Sequence, residues 1–103
     1  DGDTCYVIYK GKKDKVRLLD LDTPEISNPK CEKEYILAIE AREYINQLIS
    51  EGKKIEFETE YNRDFFGRIL SYIIIDGENV SKLMVSHSLG VVYDKNNKKD
   101  WCE

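Results

Sequence analysis

The first patterned run, residues 4 to 10, is rich in β-branched and aromatic types and predicts a strand. A polar turn, Gly11 to Asp14, separates it from the apolar run Val16-Arg17-Leu18-Leu19-Asp20-Leu21-Asp22, which returns as the second strand of a hairpin. A period of two puts Val16, Leu18, Asp20 and Asp22 on one face, with Arg17, Leu19 and Leu21 on the other. Arg17 and Asp22 have opposite parity, so for both to serve one pocket the strand must bend, bulge or stop between them. Thr23-Pro24 is where ladder hydrogen bonding ends, and the residue before proline is pushed toward extended backbone that leaves the Thr23 carbonyl free.

After a polar connection the period changes. Between Glu34 and Ser50, Leu37, Ala38, Ala41, Ile45, Leu48 and Ile49 form one helical stripe, and Gly52 stands at the C′ position. The helix's Glu and Arg residues fall mostly off that stripe and read as a solvated face. Ile55, Phe57 and Thr59 then alternate with charged residues in a half-buried strand. A long strand from Phe65 to Ile75 runs to the turn pair Asp76-Gly77, and Gly67 within it predicts a bulge or a close approach. Asn79 or Ser81 caps a short helix reaching about Ser88, whose His87 reads as a helix-end residue without a catalytic partner. Leu89 to Tyr93 predicts a last short strand, and the lysine-rich end is loosely held except around Trp101.

Length and composition bound the rest. The 103 residues make one domain, 1–103, with one modest core, and no apolar run approaches the ~18 residues of a membrane span. A formal net charge of -4 argues against binding nucleic acid by bulk electrostatics, although Arg17, Arg63, Arg68, Lys95, Lys98 and Lys99 can supply local positive potential. Cys5, Cys31 and Cys102 match no zinc spacing. Their odd number leaves at least one thiol unpaired, and both a Cys31–Cys102 disulfide and three free thiols remain open. No secretory signal is visible, and the chain begins at Asp1 without an initiator methionine, as a processed or trimmed form would.

Chemistry concentrates at the end of the central strand. A charge taken out of water costs several kcal/mol unless paired or bound to a metal, so Arg17 followed by Asp20, Asp22 and Glu25 points to a site. The hairpin brings Asp3 and Asp22, distant in sequence, to the same open end. The plainer alternative is a strand leaving the core through a polar turn, with Arg17 and Asp20 paired at the surface.

Asp1-Gly2-Asp3-Thr4, then Arg17-Leu18-Leu19 leading to Asp22-Thr23-Pro24-Glu25, then Asp64 with Gly67-Arg68 occur in order, with a helix between the second and third. With them the chain resembles the staphylococcal nuclease (thermonuclease) family from Asp1 to about Tyr93. The resemblance implies an α+β fold: an OB-fold five-stranded β-barrel with packed helices, here with its first strand missing from this chain. That absence predicts upstream residues in the natural protein or a strand exchanged with a neighbour; no other protein partner and no membrane is implied. It further implies a Ca2+-dependent nuclease of DNA and RNA leaving 3′-phosphate and 5′-hydroxyl ends. Asp3, Asp22 and the Thr23 carbonyl match its metal ligands, Glu25 its general base, Arg17 and Arg68 its phosphate clamp. Phe66 and Tyr93 lie near its nucleotide site, and Phe65 replaces a basic residue there. A secreted or periplasmic location follows from the same resemblance. The alternative function is a catalytically silent module of this fold that binds nucleic acid or protein.

Overall fold

The computed structural model describes residues 3–103, apart from the side chains of Tyr9, Glu60, Tyr61 and Asn62; Asp1 and Gly2 of the first motif lie outside the described residues. Five strands and two helices follow in the order β1 (Thr4–Tyr9), β2 (Lys12–Leu18), α1 (Glu32–Glu51), β3 (Ile55–Arg63), β4 (Ile69–Ile75), β5 (Glu78–Asn79) and α2 (Val80–Ser86). They form an α+β domain around one mixed sheet. β1 pairs antiparallel with β2, β2 parallel with β4, and β4 antiparallel with β3; β5 pairs with the end of β4. Among the described residues no pairing joins β1 to β3, so the sheet is open and no closed barrel is observed.

β4 is the central strand, and its inward residues Ile69, Ser71, Ile73 and Ile75 are buried. They pack with Val16 and Leu18 of β2, Ala41 and Ile45 of α1, and Val80 and Met84 of α2. Cys5 is buried in the same cluster as a free thiol, and burial pushes it up to about 12, with the Asp3 charge adding to the effect. α1 is 20 residues long but carries charge along its exposed face, and no helix among the described residues is long and apolar enough to cross a membrane.

Several elements differ from the sequence reading. The hairpin turn is the two-residue pair Lys10-Gly11, both at positive φ (51° and 79°), rather than a loop through Asp14. That backbone matches the right-handed twist of the flanking strands and lets Lys12 pair directly with Tyr9. β2 stops at Leu18 instead of continuing to Asp22. Asp20 takes a left-handed conformation, φ 57°, which a short polar side chain tolerates better than most.

β4 begins at Ile69, not Phe65. Residues 64–68 form a turn in which Gly67 has φ 80°, so this glycine serves a reversal and not a bulge. Gly52 is needed for space: its backbone is extended, φ -68° and ψ 136°, and a Cβ there would stand 2.5 Å from Ile75 Cγ2. The expected strand Leu89 to Tyr93 reduces to one antiparallel bridge, Asp22 to Val91. Of the three cysteines, Cys31 and Cys102 form a disulfide and Cys5 stays free. Trp101 is buried beside it, 7% exposed. His87 caps the C-terminus of α2, and its ring lies against Tyr44, away from the other candidate residues.

Candidate active site

Hairpin register builds the first wall of the site. Because Thr4 pairs with Arg17, Asp3 comes level with Leu18, whose amide donates to the Asp3 carbonyl at 2.8 Å. The Asp3 carboxylate is buried, accepts from the Thr4 hydroxyl at 3.2 Å and lies 3.6 Å from Arg17 Nη2. Arg17 Nη1 donates to the Leu18 carbonyl, and its guanidinium sits 5.8 Å from the Tyr93 ring centre. The surface pair Arg17–Asp20 is therefore not formed; Asp20 instead accepts from the Tyr72 hydroxyl.

The reversal at Asp20 solves the parity problem, since the chain re-enters the core at Leu21 with a new phase. Asp22 then exchanges two backbone hydrogen bonds with Val91, at 2.8 and 2.9 Å. Gly90 permits that approach: a Cβ on it would meet Leu21 Cδ1 at 2.5 Å, and Leu21 is fully buried. Asp22 is 7% exposed, and among the described residues none donates a hydrogen bond to its carboxylate. Burial pushes this carboxyl above its usual range; Lys98 and Arg17 oppose the shift, while Asp3 and Glu34 add to it.

Thr23 and Pro24 are fully buried, and the Thr23 hydroxyl has no hydrogen-bond partner among the described residues. Glu25 follows, half-buried, its amide donating to Glu34 Oε2 at 3.1 Å. Glu34 Oε1 also accepts from the Lys30 amide at 2.9 Å, so one buried carboxylate ties down both ends of the connection carrying Glu25. Cys31 caps this end of α1, its sulfur accepting from the Glu34 amide at 3.4 Å. The sequence reading placed the helix's acids on the solvent side and missed Glu34. Its signal was available: position 34 lies one turn before Ala38, on the same stripe as Ala41 and Ile45.

The opposite wall is the turn between β3 and β4. Asp64 Oδ1 accepts from the amides of Phe66 and Arg68 at 3.0 and 2.8 Å, and Oδ2 from Arg68 Nε at 2.7 Å. Arg68 Nη1 donates to the Thr4 hydroxyl at 2.8 Å, linking this turn to the start of β1. Desolvation acts to raise the Asp64 pKa, but the amide bonds and the Arg68 guanidinium outweigh it and hold the carboxyl below its usual range. Phe66 is 78% exposed, with Arg68 5.4 Å from its ring centre; Phe65 is 97% exposed and does not line the cleft.

The two walls enclose an open cleft of about 570 Å³ lined by Asp3, Arg17, Asp22, Glu25, Phe66, Arg68 and Tyr93, together with Asp20, Asp64 and Lys98. Thr23 does not reach it. That residue lines a smaller adjoining cavity of about 110 Å³, which shares Asp22, Glu25 and Lys98 with the first. The donors fit a hard cation only in part. Asp3 and Asp22 offer two carboxylates to one space, and Asp22 is desolvated and unpartnered, a condition that a divalent ion relieves. Among the described residues no group of three or more His, Cys, Asp or Glu side chains stands at metal-binding spacing, so water and main-chain oxygen would have to complete the shell.

One guanidinium beside a pair of buried carboxylates, and a second on the facing wall of the cleft, give this α+β domain a site lined by both signs of charge. The chain belongs to the staphylococcal nuclease homologue family, whose model matches residues 15–102, and that membership implies an OB-type architecture. It is similar to the endonuclease YncB of Bacillus subtilis (strain 168), with 40% identity over 103 residues, 95% of this chain and 48% of that protein. The SPbeta prophage-derived endonuclease YokF of the same strain is 37% identical, over 95% of this chain and 34% of its own length. An uncharacterized endonuclease of Escherichia coli is 32% identical over 98 residues, 94% of this chain and 58% of that protein. The chain thus spans half or less of the two Bacillus relatives.

Proposed function

We propose that this domain is a calcium-dependent nuclease that hydrolyses phosphodiester bonds of DNA or RNA. The observation that carries this reading is the convergence of Arg17, Arg68, Asp3, Asp22 and Glu25 on one cleft from four separate stretches of chain. The names of the similar endonucleases support it.

Asp3 and Asp22 would hold the calcium ion, with water completing its shell; when bound the ion polarises a phosphate oxygen and orients the attacking water. Glu25 accepts the proton of the attacking water. As the new oxygen–phosphorus bond forms, the bond to the 5′ oxygen breaks, and the products are a 3′-phosphate and a 5′-hydroxyl that takes its proton from solvent. Arg17 and Arg68 donate to the equatorial phosphate oxygens, where planar paired donors match the developing charge. Arg17 is held through Nη1 at the Leu18 carbonyl, and Arg68 through Nε at Asp64 and Nη1 at Thr4, which fixes their orientation and leaves the remaining N–H groups for substrate. Tyr93 and Phe66 form the cleft's aromatic rim, on which a base can stack.

The Cys31–Cys102 bridge supports a secreted or periplasmic setting, since disulfides persist in oxidising compartments. Digestion of supercoiled plasmid and single-stranded RNA, with calcium and then with excess chelator, tests the proposal. Cleavage that stops on chelation is expected; equal cutting in both would reject the metal role, and no cutting of either polymer would reject the function in favour of a silent binding module.

A further inference from the structure

The segment after Tyr93 contains no helix or strand, and nearly all its side chains face solvent. It is fastened at its far end. Trp101 is buried, Cys102 is bonded to Cys31 across 71 positions of sequence, and Lys33 Nζ donates to the Glu103 carbonyl. Lys99 rests 5.3 Å from the Trp101 ring centre. These fastenings bring Lys98, an otherwise remote residue, to the wall of the cleft and of the smaller cavity beside it, next to Asp22.

Lys98 differs from the two arginines. Arg17 and Arg68 are oriented by Asp3 and Asp64, whereas Lys98 forms no ion pair or hydrogen bond with a described residue. It is an ammonium on a long exposed stem, free to meet an anion entering the cleft. We infer that Lys98 is a third phosphate-binding cation of this site, and that the Cys31–Cys102 bridge delivers it, so that the grip on a nucleic-acid backbone depends on the bridge being closed. The inference rests on the nuclease reading for its substrate class. A polar terminal segment held only by Trp101 and the exposed Lys33 contact spreads over many conformations, which lowers the local concentration of the ammonium at the cleft.

Binding of a fluorescein-labelled single-stranded DNA oligonucleotide, followed by anisotropy in the Glu25→Gln background, tests both parts. Lys98→Ala should weaken binding about fivefold and reduce the slope of log K against log salt by about 0.7, the signature of one lost phosphate contact on a single strand. Lys98→Arg should restore both. Cys102→Ser, or reduction of the bridge, should weaken binding by the same factor and add nothing to Lys98→Ala. Inserting four glycines between Lys98 and Lys99 keeps the bridge but slackens the tether, and should do likewise; this variant decides the matter if opening the bridge unfolds the chain, which circular dichroism reports. In the Glu25 protein the same changes should raise KM more than they lower kcat.

Unchanged binding by Lys98→Ala, with only a higher Asp22 pKa by NMR titration, would reduce the lysine to a counter-charge and overturn the inference. Normal binding with a slack tether and with an opened bridge would overturn the delivery mechanism. Binding without cleavage by the unsubstituted protein rejects the hydrolytic reading and leaves this one standing. No binding at all rejects both.

Discussion

Asp22 and Asp64 stand on opposite walls of one cleft and are shifted in opposite directions. Asp64 lies in a turn that satisfies it completely: two amides and a guanidinium converge on its oxygens within five residues of chain. Asp22 is brought in by a long-range backbone bridge to Val91, and its carboxylate receives no hydrogen bond from any described residue. The Asp64 wall is a finished structural unit that aims Arg68. The Asp22 wall is an unfinished one, with charge left over for something from outside the chain.

Glu25, on the unfinished wall, should show the largest effect. Glu25→Gln is expected to lower turnover by roughly 10²–10⁴-fold, the range of general-base catalysis, with an unchanged thermal melt. A parallel loss of melting temperature would place Glu25 in the structure instead. Calcium comes next. At a hundredfold excess over its Kd it should stabilise the protein by about 2.7 kcal/mol in denaturant titrations, and Asp22→Asn should abolish that gain. Cation-free Asp22→Asn should itself be more stable than the parent at neutral pH. A carboxyl with a raised folded pKa favours the native state below its unfolded value of 3.8, and that contribution is lost as pH rises through the folded pKa.

Glu34→Ala should cost about 2 kcal/mol, because it leaves the Glu25 and Lys30 amides without their acceptor. Faster hydrogen exchange at those two amides, measured by NMR, distinguishes this from general loosening. Asp64→Asn should cost roughly 1 kcal/mol at neutral pH. Here the sign is opposite to Asp22: a lowered folded pKa stabilises above 3.8, and the benefit is lost as pH falls through the folded value. The gap between parent and Asp64→Asn should therefore close on acidification. A gap that widened there would show that Asp64 is not held by Arg68. Phe65→Ser, at a ring 97% exposed, should change stability by less than about 0.5 kcal/mol.

What the sequence revealed of this site follows from what each residue depends on. The hairpin that joins Asp3 to Arg17 and the helix over Ala38, Ala41 and Ile45 rest on local pattern, and both were legible. The strand assigned from Phe65 was wrong because two aromatic letters continue an apolar run while their rings stand in solvent; the local chemistry that matters is Asp64 bonding forward to Phe66 and Arg68. The stop after Leu18 was anticipated in kind but not in place, since nothing in the letters marks Asp20 as the residue that turns left-handed. Lys98 was legible only as a source of positive charge, because it reaches the cleft through the fold of a terminal segment that ends in a bridge between residues 71 apart.

Cys5 carries a consequence for how this chain matures. Three thiols permit three pairings, and only one is native. The native sheet withdraws Cys5 from competition: at 5% exposure and with its thiol pushed up to about 12, almost none of it is the thiolate that attacks a disulfide. Once β1, β2 and β4 have assembled around it, a mispaired Cys5 would have to leave the core to persist. In the folded chain, burial of the odd sulfur thus guards the Cys31–Cys102 bridge against exchange with Cys5.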